Sequence, residues 1–288
     1  MGKISDALEK HKKEKLIPLD EVRDDKPVRL RSEDLGSERP VRLRTEEPEV
    51  RRAREISSQN KFSDSLIMLS SPDSSDAETF KILRGQILFP RDSEVPRSIL
   101  VTSTFPGEGK TFTAANLATT IAMSVDEYVL LIDADMRRAR IHRMFDFRNV
   151  RGLHDYLIGE KKFDELIVKT AVNKLSILPA GRTPRNPSEL LSSNMMANFL
   201  VEAKRRYKDR FIIIDSPPTH ITAEAKFLAQ YVDAIIFVIM ANKTPRKDAL
   251  KAIEALGRDK VLGIVFNGYN QARKSYHKYY EKYYKRER

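Results

Sequence analysis

The chain has 288 residues, carries a formal net charge of +11 at pH 7, and is 41% apolar, which is enough to build a buried core. It has no cysteine, which excludes disulfides, thiolate metal sites, iron–sulfur clusters and cysteine nucleophiles. No stretch approaches about 18 consecutive apolar residues and the N-terminus lacks the apolar core of a signal peptide, so we expect an intracellular protein without a membrane span. The basic excess predicts an anionic partner such as nucleic acid, acidic lipid or a phosphorylated ligand.

The first predicted segment is a charged extension, residues 1–61, which contains no aromatic residue and in which about half of the residues are charged. Such a segment cannot bury enough apolar surface to offset the entropy lost on ordering, so we predict that it is largely disordered. Within it, KPVRLRSEDL at 26–35 recurs as RPVRLRTEEP at 39–48. We interpret this repeat as duplicated linker, because it is short and polar.

Residues 62–268 have the pattern of a folded domain, in which continuous apolar runs alternate with helical segments. Continuous runs are typical of strands buried on both faces of a parallel sheet. We therefore predict an α/β fold with a doubly wound, mostly parallel sheet and a ligand at the carboxyl ends of the strands. The runs are 98–103, 128–133, 175–180, 211–215, 234–240 and 261–267.

The first run is followed by FPGEGKT at 105–111 and then by a helical pattern, which is the arrangement of a phosphate-binding P-loop. Lys110 would reach the β- and γ-phosphates of a nucleotide, and the Thr111 hydroxyl would hold Mg²⁺. The P-loop pattern has glycine where this chain has Thr104, so we expect Pro106 and Gly107 to supply the turn. The predicted nucleotide-binding residues are Pro106, Gly107, Glu108, Gly109, Lys110, Thr111, Phe112 and Asn267.

Two further runs end in aspartate: YVLLIDADMRR contains Asp133 and Asp135, and FIIIDSPP contains Asp215. Carboxylates at the ligand end of a buried strand suit Mg²⁺ binding and proton transfer. We predict that Thr111, Asp133 and Asp215 serve the metal and that Lys110, Asp133, Asp135 and Arg137 are catalytic. The pattern leaves open whether Asp133 or Asp135 accepts the proton from an attacking hydroxyl.

These motifs, together with PAGRTPRNPSELL and the tyrosines near the C-terminus, resemble the bacterial tyrosine kinases, which are P-loop autokinases of polysaccharide biosynthesis. The resemblance runs from about Ser65 to the end of the sequence. It implies ATP and Mg²⁺ as cofactors, autophosphorylation of the tyrosine tail in trans, ring-like homo-oligomers and a role in extracellular polysaccharide synthesis or export. It also implies a transmembrane chain-length-determinant or activator protein, a phosphotyrosine phosphatase, and a cytoplasmic location at the inner face of the membrane through that activator.

Two positions depart from the family pattern. The family's oligomerisation helix carries Glu, Arg and Arg at spacings of three, whereas this chain has Glu78, Lys81 and Arg84. Lysine lacks the bidentate fork of arginine, so we expect weaker ring assembly. After the FIIIDSPP motif, Glu224 stands where the family often has Asp.

The predicted tail, residues 269–288, carries seven Lys or Arg against two Glu, a net charge of +5. Its tyrosine spacing places five side chains on one face of a helix, which a packing stripe or a nucleic-acid-stacking surface would also show. Because the stripe is all tyrosine and the same chain has a predicted ATP site, we interpret these residues as phosphoacceptors and do not expect nucleic acid as a partner. They are Tyr276, Tyr279, Tyr280, Tyr283 and Tyr284.

Two other functions share much of this pattern. A partition or positioning ATPase would have the same fold, but such proteins usually carry lysine where this chain has Phe105, and they lack a tyrosine tail. A nucleotide-binding scaffold without kinase activity is the second alternative, which Lys81 leaves open. Salt-sensitive DNA binding would indicate the first, and ATP binding without phosphotyrosine would indicate the second.

Overall fold

The computed structural model describes residues 62–90, 94–207, 209–220 and 222–269. The predicted extension, residues 1–61, and most of the predicted tail lie outside these ranges. The predictions for the five tyrosines therefore stay predictions; these residues are Tyr276, Tyr279, Tyr280, Tyr283 and Tyr284.

The described residues form one seven-stranded sheet, and the predicted α/β class is confirmed. The strands are β1 (Ser98–Ser103), β2 (Tyr128–Asp133), β3 (Val168–Lys169), β4 (Leu175–Leu178), β5 (Arg210–Asp215), β6 (Ala234–Met240) and β7 (Val261–Asn267). Their order is β3-β4-β2-β5-β1-β6-β7, and every neighbouring pair is parallel except β3 with β4. Each predicted apolar run coincides with a strand, whereas the two-residue β3 is too short to produce a sequence pattern.

Helices precede β1 and occupy most of the connections between the strands. The helices of the described residues are α1 (Ile67–Ser70), α2 (Ser75–Leu88), α3 (Lys110–Ala122), α4 (Ile141–Met144), α5 (Leu153–Leu157), α6 (Pro187–Leu191), α7 (Asn194–Arg206), α8 (Glu224–Ala229) and α9 (Arg246–Leu256). Serine hydroxyls start two of the longer helices: Ser74 accepts a hydrogen bond from the N–H of Ala77, and Ser193 accepts one from the N–H of Met196. Along the ranges that the structure covers, no helix is both long enough and apolar enough to span a membrane.

The core consists of two apolar layers, one on each face of the sheet. Along β1, Leu100 packs into one layer while Ile99 and Val101 pack into the other. Helices α7, α8 and α9 cover the first layer, and α3 covers the second. Because both faces of the sheet are covered at the central strands, residues at consecutive positions of β1, β2, β5 and β6 are buried, which explains why these apolar runs are continuous. In β7, by contrast, Leu262, Ile264 and Phe266 are exposed.

The chain order of the central strands fixes where a ligand can bind. The connection from β1 through α3 leads to β2, and the connection from β5 through α8 leads in the other direction to β6. The strand order therefore reverses around β5 and β1. In open parallel sheets, a crevice forms at such a reversal outside the carboxyl ends of the strands.

Candidate active site

The three predicted motifs meet at this crevice. In the β2–β5 register, Asp133 lies opposite Asp215, and in the β1–β5 register, Asp215 lies opposite Val101. The glycine-rich loop follows directly after β1. The loop and both carboxylates are therefore brought together because parallel neighbours end at the same edge of the sheet.

Two glycines shape the loop. Gly107 has φ +84° and Gly109 has φ +96°, both in the left-handed region that side chains disfavour. Thr104, where the P-loop pattern has glycine, is not among the described residues with positive φ. It is buried, and its carbonyl accepts a hydrogen bond from the N–H of His220. This backbone position therefore accommodates threonine.

The loop is braced from outside by long-range contacts through Glu108. The buried Glu108 carboxylate accepts hydrogen bonds from the N–H of Phe105, at 2.8 Å, and from the Thr244 hydroxyl. The Asn267 amide donates to the Glu108 carbonyl at 3.0 Å. Glu108 and Asn267, both predicted to bind nucleotide, thus hold the shape of the loop in this structure, and their contact with nucleotide stays a prediction.

Lys110, the first residue of α3, is buried against the carboxylates. Its Nζ lies 2.6 Å from Asp135 Oδ2, and both side chains are at least nine-tenths buried. Asp135 Oδ1 accepts the N–H of Arg138 at 3.1 Å, and Asp133 Oδ2 accepts the N–H of Ile141 at 3.2 Å. Both carboxylates are therefore held by the backbone that follows β2.

The charges in this cluster shift one another's pKa. Burial alone would lower the pKa of Lys110, but the carboxylates of Asp215, Asp135 and Asp133 raise it above its usual value. Burial, with Asp215 and Asp135 nearby, raises the pKa of Asp133 well above its usual range. Burial also raises the pKa of Asp215 to about 6, against the opposing influence of Lys110 and the Thr111 hydroxyl. Three carboxylates share one ammonium, so the cluster favours additional positive charge.

Several buried oxygens here suit a cation. Within the ranges that the structure describes, Asp133 Oδ1 and both carboxylate oxygens of Asp215 have no hydrogen-bond partner of normal geometry, although the Thr111 hydroxyl is close enough to influence Asp215. Buried polar atoms are normally satisfied. In the same ranges, no three acidic, His or Cys side chains could hold a metal ion by themselves. The donor set fits Mg²⁺, which commonly takes one or two carboxylates and completes its shell with phosphate and water.

A cleft of about 710 Å³ opens over this cluster. Of the predicted site residues, it is lined by Pro106, Gly107, Gly109, Lys110, Thr111, Phe112, Asp135 and Arg137. Asp133 and Asp215 are buried and do not line it. Three further arginines, which the sequence reasoning missed, also line the cleft: Arg138, Arg140 and Arg143. The high density of arginine directly after the DAD motif is the sequence feature that could have identified them.

Arg137 is held by a network that joins three motifs. Its Nη2 donates to Glu224 Oε1 at 3.2 Å and to Ser188 Oγ at 2.8 Å, and the Ser188 hydroxyl donates to Glu224 Oε1 at 2.6 Å. Glu224 is fully buried at the start of α8, and Ser188 belongs to α6. The sequence marked Glu224 only as a family departure and did not predict Ser188. The structure shows that together they position the guanidinium beside the cleft.

The predicted oligomerisation residues lie on α2, where they contact their own chain. Lys81 pairs with Glu78 at 3.3 Å, and the Arg84 guanidinium donates to the Thr120 carbonyl at 3.1 Å. Their role between subunits stays a prediction.

A parallel sheet with a glycine-rich phosphate loop and aligned acidic strand ends defines a nucleotide-binding protein of the P-loop class. Residues 97–253 match the family model described as an AAA domain. The chain is 36% identical over 217 residues to the tyrosine-protein kinase YwqD of Bacillus subtilis, covering 75% of this chain and 90% of that one. The chain belongs to the bacterial tyrosine-protein kinases, as the motifs predicted.

Solved structures support the same family. The chimerical protein CapA2B2 matches with a TM-score of 0.65 at 32% identity, covering 72% of this chain and 90% of that one. The kinase domain of the Escherichia coli tyrosine kinase ETK matches with a TM-score of 0.65 at 28% identity, covering 74% and 84%. These relatives do not favour the partition-ATPase alternative.

Proposed function

We propose that this chain is an ATP-dependent protein-tyrosine kinase that phosphorylates the C-terminal tyrosines of another copy and thereby regulates extracellular polysaccharide synthesis or export. The observation that carries this proposal is the buried Lys110–Asp135 pair at the start of α3, next to carboxylate oxygens that have no partner in the described ranges. Its family membership supplies the reaction type.

The loop would bind the triphosphate of ATP. Within the described ranges no side chain caps the start of α3, and Gly107, Gly109 and Lys110 line the cleft, so the N–H groups of this first turn suit phosphate oxygens. Lys110 neutralises the β- and γ-phosphates. Thr111, Asp133 and Asp215 would hold Mg²⁺, which when bound neutralises phosphate charge.

Asp135 is the better placed of the two candidate bases. Both carboxylates are buried, but Asp135 lines the cleft and Asp133 does not. In the free protein Asp135 Oδ2 is paired with the Lys110 ammonium, so it is not available to a hydroxyl proton. When Lys110 turns to the phosphates, Asp135 is released to accept the proton of the tyrosine hydroxyl. The tyrosine oxygen then bonds to the γ-phosphorus, the bond to the β-phosphate oxygen breaks, and ADP leaves.

The partners follow from the resemblance. We propose a ring-like oligomer built through α2, weakened by Lys81, which brings one copy's tail to the next copy's cleft. We also propose a transmembrane activator that holds the kinase at the inner face of the membrane, and a phosphatase that removes the phosphates.

To test this proposal, the purified chain is incubated with ATP, Mg²⁺ and an activator fragment, and phosphotyrosine is mapped by mass spectrometry. Lys110→Ala should abolish phosphorylation, whereas Lys247→Ala, a lysine on the exposed surface of α9, should not. A chain truncated after Gly268 should lack phosphotyrosine itself but phosphorylate the tail of the Lys110→Ala chain in trans.

The assignment of Asp135 as the base can be tested separately. Asp135→Asn should lose phosphotransfer but still bind ADP, whereas Asp133→Asn should lose the Mg²⁺ dependence of ADP binding. ATP binding by the wild-type chain without any phosphotyrosine would refute the kinase proposal and indicate a scaffold. Salt-sensitive DNA binding would indicate a partition ATPase.

A further inference from the structure

Three exposed arginines, Arg138, Arg140 and Arg143, line the cleft beside the phosphate loop; we call them the arginine rim. Over the ranges that the structure describes, none of the three side chains forms an ion pair or a hydrogen bond. Arg137 differs, because it is paired with the buried Glu224. The rim is therefore a concentration of positive charge that the described part of the chain leaves uncompensated.

The backbone that carries the rim is firmly anchored. The N–H of Arg138 is bound to Asp135, and the N–H of Ile141 is bound to Asp133. Ile141 and Met144, on either side of Arg143 in α4, are buried in the core. The guanidinium groups thus extend from a fixed base, which reduces the ordering cost of binding an anion.

The rim changes the charge that an incoming tail meets. The carboxylates of Asp133 and Asp215 are buried, so the exposed side groups at this wall of the cleft are mainly basic. The unmodified tail, with a net charge of +5, gains nothing from such a wall. A phosphotyrosine adds roughly −1.5 to −2 charge and three acceptor oxygens, which match arginine forks. The triphosphate of ATP has its own ligands in the loop and Lys110.

We propose that the arginine rim binds a phosphotyrosine of the C-terminal tail, at a site next to the nucleotide. This inference rests on the proposed kinase function, which supplies the phosphotyrosine. The tail tyrosines are spaced by one, three or four residues, so one held in the rim keeps another close to the γ-phosphate. The first phosphorylation of a tail therefore promotes the next, and multiply phosphorylated tails accumulate ahead of singly phosphorylated ones.

A peptide-binding assay tests whether the arginine rim recognises phosphotyrosine, and it does not require catalysis. Fluorescent peptides of residues 268–288, unmodified or phosphorylated at Tyr280, are titrated with the dephosphorylated full chain in the presence of ADP and Mg²⁺. We expect the phosphopeptide to bind about tenfold more tightly, from one or more new charge-assisted hydrogen bonds. Arg140→Gln/Arg143→Gln should abolish that difference.

The matched control removes the same charge elsewhere in the same segment. Arg148 and Arg151 are exposed but do not line the cleft, so Arg148→Gln/Arg151→Gln should keep the tenfold difference. Circular dichroism checks that both double variants are folded. Equal loss in the control would show a general charge effect and overturn the proposal, as would phosphopeptide binding no tighter than that of the unmodified peptide. A peptide with Glu in place of Tyr280 that binds as tightly would also overturn it, because the rim would then recognise any acidic side chain.

The catalytic consequence is read by intact-mass spectrometry early in autophosphorylation. Wild-type protein should show multiply phosphorylated chains while most chains are unmodified, and the Arg140→Gln/Arg143→Gln variant should accumulate singly phosphorylated chains first. A wild-type chain that forms no phosphotyrosine, yet prefers the phosphopeptide, would refute the kinase proposal and leave the rim site intact. The same order of products in both proteins would refute the promotion of successive phosphorylations.

Discussion

Gly109→Ala tests how the phosphate loop is built. A Cβ on Gly109 would lie 1.9 Å from Asn267 Nδ2 and 2.9 Å from Asn267 Cγ, at a φ of +96°. The Asn267 amide would have to move, breaking its 3.0 Å hydrogen bond to the Glu108 carbonyl. The backbone conformation costs about 1–2 kcal/mol for a residue with a side chain, and the lost hydrogen bond costs about 1 kcal/mol. We expect a total loss of about 2–3 kcal/mol in the free energy of unfolding.

Gly107→Ala is the matched control, because Gly107 has a similar φ of +84° but nothing within 4 Å of its added Cβ. It should lose only the backbone cost of about 1–2 kcal/mol. Urea unfolding followed by circular dichroism, without nucleotide, measures both variants. The difference between them isolates the contact with Asn267.

A double-mutant cycle sharpens the test. Asn267→Ala removes the same hydrogen bond to the Glu108 carbonyl, so the cost of Gly109→Ala should be smaller in that background, by about 1 kcal/mol. If Gly109→Ala is no more costly than Gly107→Ala, or if the two changes add fully, Asn267 does not support the loop as the geometry indicates.

Three further outcomes follow from other contacts. Asp233→Asn should cost about 1–2 kcal/mol at pH 7, since the carboxylate accepts two backbone N–H groups at the start of β1. Burial raises the pKa of Asp233, but hydrogen bonds from Lys204 and from the start of β1 outweigh this and bring the pKa below the usual 3.8. The stability that the charged Asp233 contributes is therefore fully present above pH 3.8 and is lost as the pH falls through the lower pKa of the folded state. The urea midpoints of wild type and variant should converge at that low pH. Lys81→Arg should strengthen self-association in sedimentation velocity, because arginine binds carboxylates bidentately; unchanged association would count against a role for this position in the ring. Glu224→Gln should slow tyrosine phosphorylation roughly tenfold by releasing Arg137, with Glu224→Asp recovering part of the rate and ADP affinity unchanged; equal rates for Gln and wild type would exclude a positioning role.

The elements that the sequence predicts well are those that local chemistry determines. Continuous apolar runs identify the central strands because both faces of the sheet are covered, and GEGKT identifies the loop because glycine and lysine are needed within a few residues. By contrast, the brace on Glu108 joins it to Thr244 and Asn267, 136 and 159 residues away in the chain. No local pattern specifies such partners, so the sequence predicted only that Glu108 and Asn267 bind nucleotide and did not identify Thr244.

The rest of the site depends on topology. Arg140 lies directly before helix α4 and Arg143 lies within it, in a segment whose basic character is plain in the sequence, yet only the position of β2 beside β5 places that segment over the cleft. Glu224 similarly reads as the start of a helix, and becomes a partner of Arg137 only because α8 follows the end of β5. These residues reach the cleft because they follow the carboxyl ends of neighbouring parallel strands, and no local sequence pattern shows which strands are neighbours.

The same topology buries carboxylates in the nucleotide-free site, which costs electrostatic free energy that a bound ligand can relieve. Asp133 and Asp215 are fully desolvated, and burial raises the pKa of both, which means that the fold disfavours their charged forms. Lys110 compensates only part of this charge, and the remaining oxygens lack partners within the described ranges. A ligand that brings both a cation for the carboxylates and phosphates for Lys110 relieves both defects at once. Nucleotide and Mg²⁺ together should therefore stabilise the fold more than either does alone, since each removes an electrostatic penalty that the other leaves in place.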